Sequence, residues 1–161
     1  MEMSLTQTIP LLLADVVWPA LYLENRLLSV LPISIGLIAE WLFLYFGGFG
    51  LSWKKATIVD VVMNTVSSVA GIALIPALGL LWEFGPGSLV NRIFNVGTFN
   101  PVSWVATFML SVGASTAIEA VVVRWGFKIP LGWRRFWVLC GANALSTGIA
   151  LASLWIHPPQ F

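Results

Sequence analysis

Charge is scarce in this chain, and so are the residues that build disulfide, metal and redox chemistry. Charged side chains make up 9% of the 161 residues, against about 25% in an ordinary water-soluble domain. Hydrophobic residues make up 58% and the mean hydropathy is +0.91. Water is therefore not the solvent for most of this surface. Cys140 is the single cysteine, which excludes an internal disulfide and any multi-cysteine metal site. His157 is the single histidine, so a haem or chlorophyll site built on paired histidines lacks its ligands. A net charge of +1 with no basic tract gives nucleic acid nothing to bind. Only the acids Glu2, Asp15 and Glu24 precede Arg26, whereas a secretory signal begins with a basic region, so none is expected. No G-x-S-x-G, H-E-x-x-H, Walker or nucleotide fingerprint occurs. No catalytic, cofactor-binding or metal-binding residue is assigned on these grounds, the cofactor is left unknown, and the chain is not read as an enzyme.

What is present is long apolar runs. Four stretches, roughly 27–46, 57–78, 103–123 and 136–156, are each about the 20 residues that a membrane-spanning helix needs. Helices are expected because hydrocarbon offers no partners for unpaired backbone groups. Gly47, Gly48 and Gly50 break the first pair; Gly126, Pro130 and Gly132 break the second. Two further segments, 9–23 and 88–101, are shorter and interrupted by polar residues, and they suit the membrane interface. A fifth span across 9–23 stays open.

The two halves repeat one grammar. Glu40 is followed by a turn, by Leu51-Ser52-Trp53-Lys54-Lys55, and by Asn64, Ser67 and Ser68. Glu119 is followed by a turn, by Leu131-Gly132-Trp133-Arg134-Arg135, and by Asn143, Ser146 and Thr147. The step from Glu to Asn is 24 residues in both (64 − 40 and 143 − 119), and the acids lie 79 apart. The expected fold is all-α and integral to the membrane: four transmembrane helices as two tandem hairpins, each preceded by a short interfacial segment. The repeats divide the chain at 1–82 and 83–161. Lys54, Lys55, Arg124, Lys128, Arg134 and Arg135 flank the hairpin turns, while only Arg26 and Arg92 fall on the other side. That bias places both turns in the cytoplasm and both termini on the non-cytoplasmic side.

Because the chain turns back between each Glu and its Asn, the two share a depth of roughly 10 Å inside the boundary. An amide can donate to a carboxylate there. Asp60, Ser67 and Ser68 continue the polar face of the second span; Ser111 and Ser115 add to it from the third, Ser146 and Thr147 from the fourth. Small residues and hydroxyls of this kind let helices approach and bond across the contact. A carboxyl group within a membrane costs at least about 2.5–3.5 kcal/mol, so it asks for a function. Two readings follow. In the first the chain is a non-enzymatic accessory or assembly subunit of a larger membrane complex, with the Glu–Asn pairs fastening its helices. In the second it is a small proton-coupled transporter or channel using the same pairs. The only water route hinted at runs from the cytoplasmic side past Asp60, since Ile72, Leu74 and Ile75 lie above the acids. Trp53, Lys54, Lys55, Trp133, Arg134 and Arg135 are expected to anchor the turns at the lipid headgroups. The bilayer and other membrane subunits, or further copies of this chain, are the expected partners.

Overall fold

The computed structural model describes residues 18–97 and 100–156. The described residues form six α-helices and no strand: α1 Trp18–Leu27, α2 Val30–Phe46, α3 Trp53–Trp82, α4 Ser88–Phe94, α5 Pro101–Val121 and α6 Trp133–Ile156. Three helical stretches, Trp53–Phe94, Pro101–Gly126 and Trp133–Leu154, are long and apolar enough to cross a membrane. α1 and α2, which meet at 69°, reach that length and hydropathy only when taken together, as a broken span or a re-entrant pair.

That break is where the sequence expectation of a helix over 27–46 fails. Ser29 is extended (φ −81°, ψ 153°) and its hydroxyl donates back to the Arg26 carbonyl at 2.7 Å, closing α1 instead of capping α2. Pro32 then falls in the first turn of α2, where a missing N–H costs nothing. Seventeen residues give α2 a length of about 26 Å, short of the roughly 30 Å of hydrocarbon. The part of the expected interfacial segment over 9–17 lies outside the described residues. Its end, within α1, is a packed helix: Ala20 and Leu23 are buried, and a Cβ on Gly79 would sit 2.6 Å from that of Ala20.

α3 runs 30 residues, longer than the expected 57–78 at both ends. Ser52 caps its start by accepting from the Lys55 N–H at 3.4 Å. Its far end continues through a π-helical turn, Glu83–Gly87, and kinks at Gly85 (φ −105°, ψ −108°). The short α4 beyond it buries none of its residues and turns Leu89, Ile93 and Phe94 outward. Asn100 restarts the chain, accepting from the Ser103 N–H at 2.9 Å with Pro101 as the first helical residue.

α3 packs on α5 and α2 on α6; α1 lies across α3 and α6. The apolar core sits at the turn end, where Leu44, Phe49, Ala56, Val59, Met63, Val123, Ile129 and Leu139 are all buried. Phe46, Trp53, Trp125, Trp133 and Trp137 project from that end, a placement suited to the headgroup zone. The two turns also meet there. Arg135, from the second, donates through Nε (3.1 Å) and Nη2 (2.8 Å) to the Gly48 carbonyl of the first, and through Nη1 to Pro130 (2.6 Å). Its guanidinium lies over the Phe49 ring.

Candidate functional site

Above this apolar plug the centre of the bundle turns polar. Asn64 on α3 donates to Glu40 Oε2 on α2 at 2.5 Å, and Asn143 on α6 donates to Glu119 Oε2 on α5 at 2.5 Å. The 24-residue step read from the sequence is therefore one hydrogen bond across each hairpin. The depth differs from expectation. α3 and α6 begin at Trp53 and Trp133, so Asn64 lies eleven residues in, about 17 Å, instead of seven.

The two acids are not equivalent in their surroundings. Glu119 is 1% exposed, and both of its oxygens are bonded. Oε2 accepts from Asn143, and Oε1 accepts from Ser67 of the other hairpin at 3.1 Å. Glu40 is 2% exposed, but only Oε2 accepts a bond; Oε1 has no donor among the described residues. Ser67 shares its one hydroxyl hydrogen between Glu119 Oε1 and the Asn64 carbonyl (3.2 Å), whereas Ser146, its counterpart in the sequence pattern, has only the Asn143 carbonyl at 3.1 Å among the described residues. The Ser146 Cβ would lie 3.1 Å from a Cβ on Gly36, so α2 and α6 touch backbone to side chain at this level. The other N–H of Asn64 is shared between the Asp60 carbonyl (3.0 Å) and Asp60 Oδ1 (3.2 Å), which ties a second acid to the same amide.

A cavity of about 360 Å³ opens onto Glu40. Volumes of roughly 300–1,000 Å³ are those of small-molecule sites. Its inner end is lined by Glu40, Asn64, Ser67, Ser68 and Ser115, and it reaches Glu119, Asn143, Ser146 and Thr147. Its far end is apolar, with Leu27, Leu28, Pro32, Ile33 and Ile75. Wall residues Leu28, Ile33, Val61, Thr65, Ser68 and Val69 are exposed and flank the gap between α2 and α3, so the cavity opens sideways. Access past Asp60 from the turn end is not what the fold provides. Asp60 is buried outside the cavity wall, and the gap below is closed by the Trp41 Nε1–H bond to Thr57 (2.9 Å) and by Leu44, Val59 and Met63.

No family model, curated protein or solved structure is significantly similar to the chain. The site has to be read from its own chemistry.

Nine of the ten residues expected in the polar site line the cavity: Glu40, Asn64, Ser67, Ser68, Ser115, Glu119, Asn143, Ser146 and Thr147. Asp60 joins them indirectly, through Asn64. Ser111 is buried on α5 away from the cavity, and its hydroxyl has no partner among the described residues. Of the expected anchors, Trp53, Lys54, Lys55, Trp133 and Arg134 are exposed at the turn end, while Arg135 is occupied by the Gly48 and Pro130 carbonyls. No group of three or more His, Cys, Asp or Glu among the described residues is placed to hold a metal ion.

A second polar cluster at the opposite end escaped the sequence reading. Ser103 bonds the buried Glu83, Asn100 donates to Ser103 (3.1 Å) and to Asn91 (3.3 Å), and Trp82 Nε1–H reaches Ser103 (3.4 Å). The run Asn100-Pro101-x-Ser103 is the signal that could have found it, because Asn before Pro is a helix-start pattern.

Proposed function

We propose that this chain is a small membrane carrier that couples the movement of a solute to a proton, with Glu40 as the exchanging acid and Glu119 as a fixed one. The observation that carries this reading is the lateral cavity of about 360 Å³ that reaches Glu40 while one of its oxygens accepts no hydrogen bond from the described residues. A fastening device has no use for an open cavity at its centre. An exchange site needs one. No basic residue occurs from 27 to 53, from 56 to 91, from 93 to 123 or from 136 to 156, and none lines the cavity among the described residues, so an ionised Glu40 has no basic side chain beside it there. Its charge must be balanced by a proton or by a cation in the cavity.

In this reading the chain is a duplicated hairpin, 1–82 and 83–161, in which the copies divided the work. The first keeps the exchangeable acid, and the second keeps the lock that the assembly-subunit reading assigns to both. The six basic residues of the turn end support an orientation with that end in the cytoplasm and the termini outside. The test uses vesicles containing the purified chain and a trapped pH dye, challenged with an imposed pH gradient and a panel of organic cations. At least one cation is expected to drive proton movement that Glu40→Gln reduces tenfold or more with the fold intact. Proton movement equal to that of empty vesicles across the panel, or unchanged in Glu40→Gln, refutes the proposal.

A further inference from the structure

The cavity has two chemically different ends, and together they specify its occupant. At the inner end the amide donors are already spent, because Asn64 and Asn143 donate to their glutamates. The Ser68 and Ser115 hydroxyls there can donate or accept. The carboxylate oxygen that faces the space without a donor among the described residues is Glu40 Oε1, on a side chain 2% exposed. A buried carboxylate with no basic side chain among the residues that line the cavity selects a donor that carries positive charge. At the other end Leu27, Leu28, Pro32, Ile33 and Ile75 offer no polar side chain, so they fit hydrocarbon. From Asn64 to Ile75 is eleven residues of α3, about 17 Å along the axis, which accommodates a tail and not merely a methyl group. The mouth between α2 and α3 is flanked by Ile33, Val61 and Val69, all exposed on the apolar girth of the bundle.

We infer that the cavity takes an amphiphilic amine from within the bilayer, its ammonium head on Glu40 and its apolar tail along the Leu27–Ile75 end. This deepens the carrier reading, yet binding itself does not depend on transport. The probes are dodecylammonium, dodecanol and ethylammonium, added to the chain purified in a neutral detergent, with thermal unfolding followed by tryptophan fluorescence. A ligand that binds only the folded state raises Tm in a saturable way, from which an apparent Kd follows. Dodecylammonium is expected to raise Tm saturably, and the other two are not. Glu40→Gln and Gly71→Leu are each expected to weaken the apparent Kd at least tenfold, the first at the head and the second at the tail. A Cβ at Gly71 makes only ordinary contact, 3.4 Å from Ile75 Cδ1, so Gly71→Leu decides the matter if Glu40→Gln fails to fold. Equal stabilisation by dodecanol overturns the charged head; equal stabilisation by ethylammonium overturns the tail and leaves a carrier of small cations. Absence of any saturable effect overturns the inference outright. Binding as expected without proton movement in vesicles sinks the carrier reading and leaves the amine site standing.

Discussion

Replacing Asn143 by Leu should be far more damaging than the same change at Asn64. Both amides make a 2.5 Å bond to a glutamate in the middle of the bundle. At Glu119, 1% exposed, bonded to Ser67 and touching the cavity only at its inner end, the vacated oxygen is the harder of the two for water to reach. Leaving a buried acceptor unpaired costs about 1–3 kcal/mol. At Glu40 the cavity admits water or a ligand to the vacated oxygen, so the loss falls toward the ordinary membrane hydrogen bond of about 0.6 kcal/mol. The expected difference is about 1–2 kcal/mol, a factor of roughly 5–30 in the unfolding equilibrium. Titration of dodecylmaltoside micelles with dodecyl sulfate, read by tryptophan fluorescence, resolves differences of this size. The double variant Glu119→Leu/Asn143→Leu should recover much of the loss, since removing both partners is nearly neutral. Equal costs at the two positions, or a larger one at Asn64, would show that the acids are held alike and that the division between lock and exchange site is wrong.

Further expectations concern the packing that frames the site. Arg135→Ala removes three hydrogen bonds and a ring contact; about 1–3 kcal/mol should be lost in the same titration, with Arg135→Lys recovering less than half because it lacks the planar fork. Gly79→Ala sets a methyl 2.6 Å from the Ala20 Cβ and should cost about 1–3 kcal/mol, regained when Ala20→Gly is added. Met63→Ala empties a wholly buried position of the turn-end core and should cost about 2–5 kcal/mol, with no effect on dodecylammonium affinity once the fold is confirmed by circular dichroism.

The parts of the site that follow from a single hairpin could be read directly. Glu40 and Asn64 had to meet because a chain that reverses between two helices returns each residue to the depth it left, and Glu119 with Asn143 obeyed the same rule. Helix limits were less legible. Trp53, Lys54 and Lys55 look like a polar turn, yet Ser52 caps a helix that already contains them. The break at Ser29 has a signal in Pro32, which cannot donate to the Leu28 carbonyl in a continuous helix; the Ser29 N–H and hydroxyl then both turn back to the Arg26 carbonyl. The inequality of the two acids was beyond any local pattern, because it depends on how the hairpins dock. Ser67 faces Glu119, whereas Ser146 is pressed against Gly36. The sideways opening has the same origin, since a row of Ile33, Val61 and Val69 reads as ordinary lipid-facing surface until the gap behind it is seen.

The Arg135 clasp has a mechanical consequence. By binding the Gly48 carbonyl it joins the start of α6 to the end of α2, and the Trp41–Thr57 bond holds α2 to α3 just above. The opposite end has no such fastening between α2 and α3 among the described residues. There α3 contains Pro76, whose missing N–H leaves the Ile72 carbonyl without its helical donor and makes that turn easier to bend. The fastenings between α2 and α3 therefore lie at the basic turns, so a rigid staple placed at the far end would constrain what those contacts leave unfastened, whereas one at the turns would only repeat what Arg135 already does.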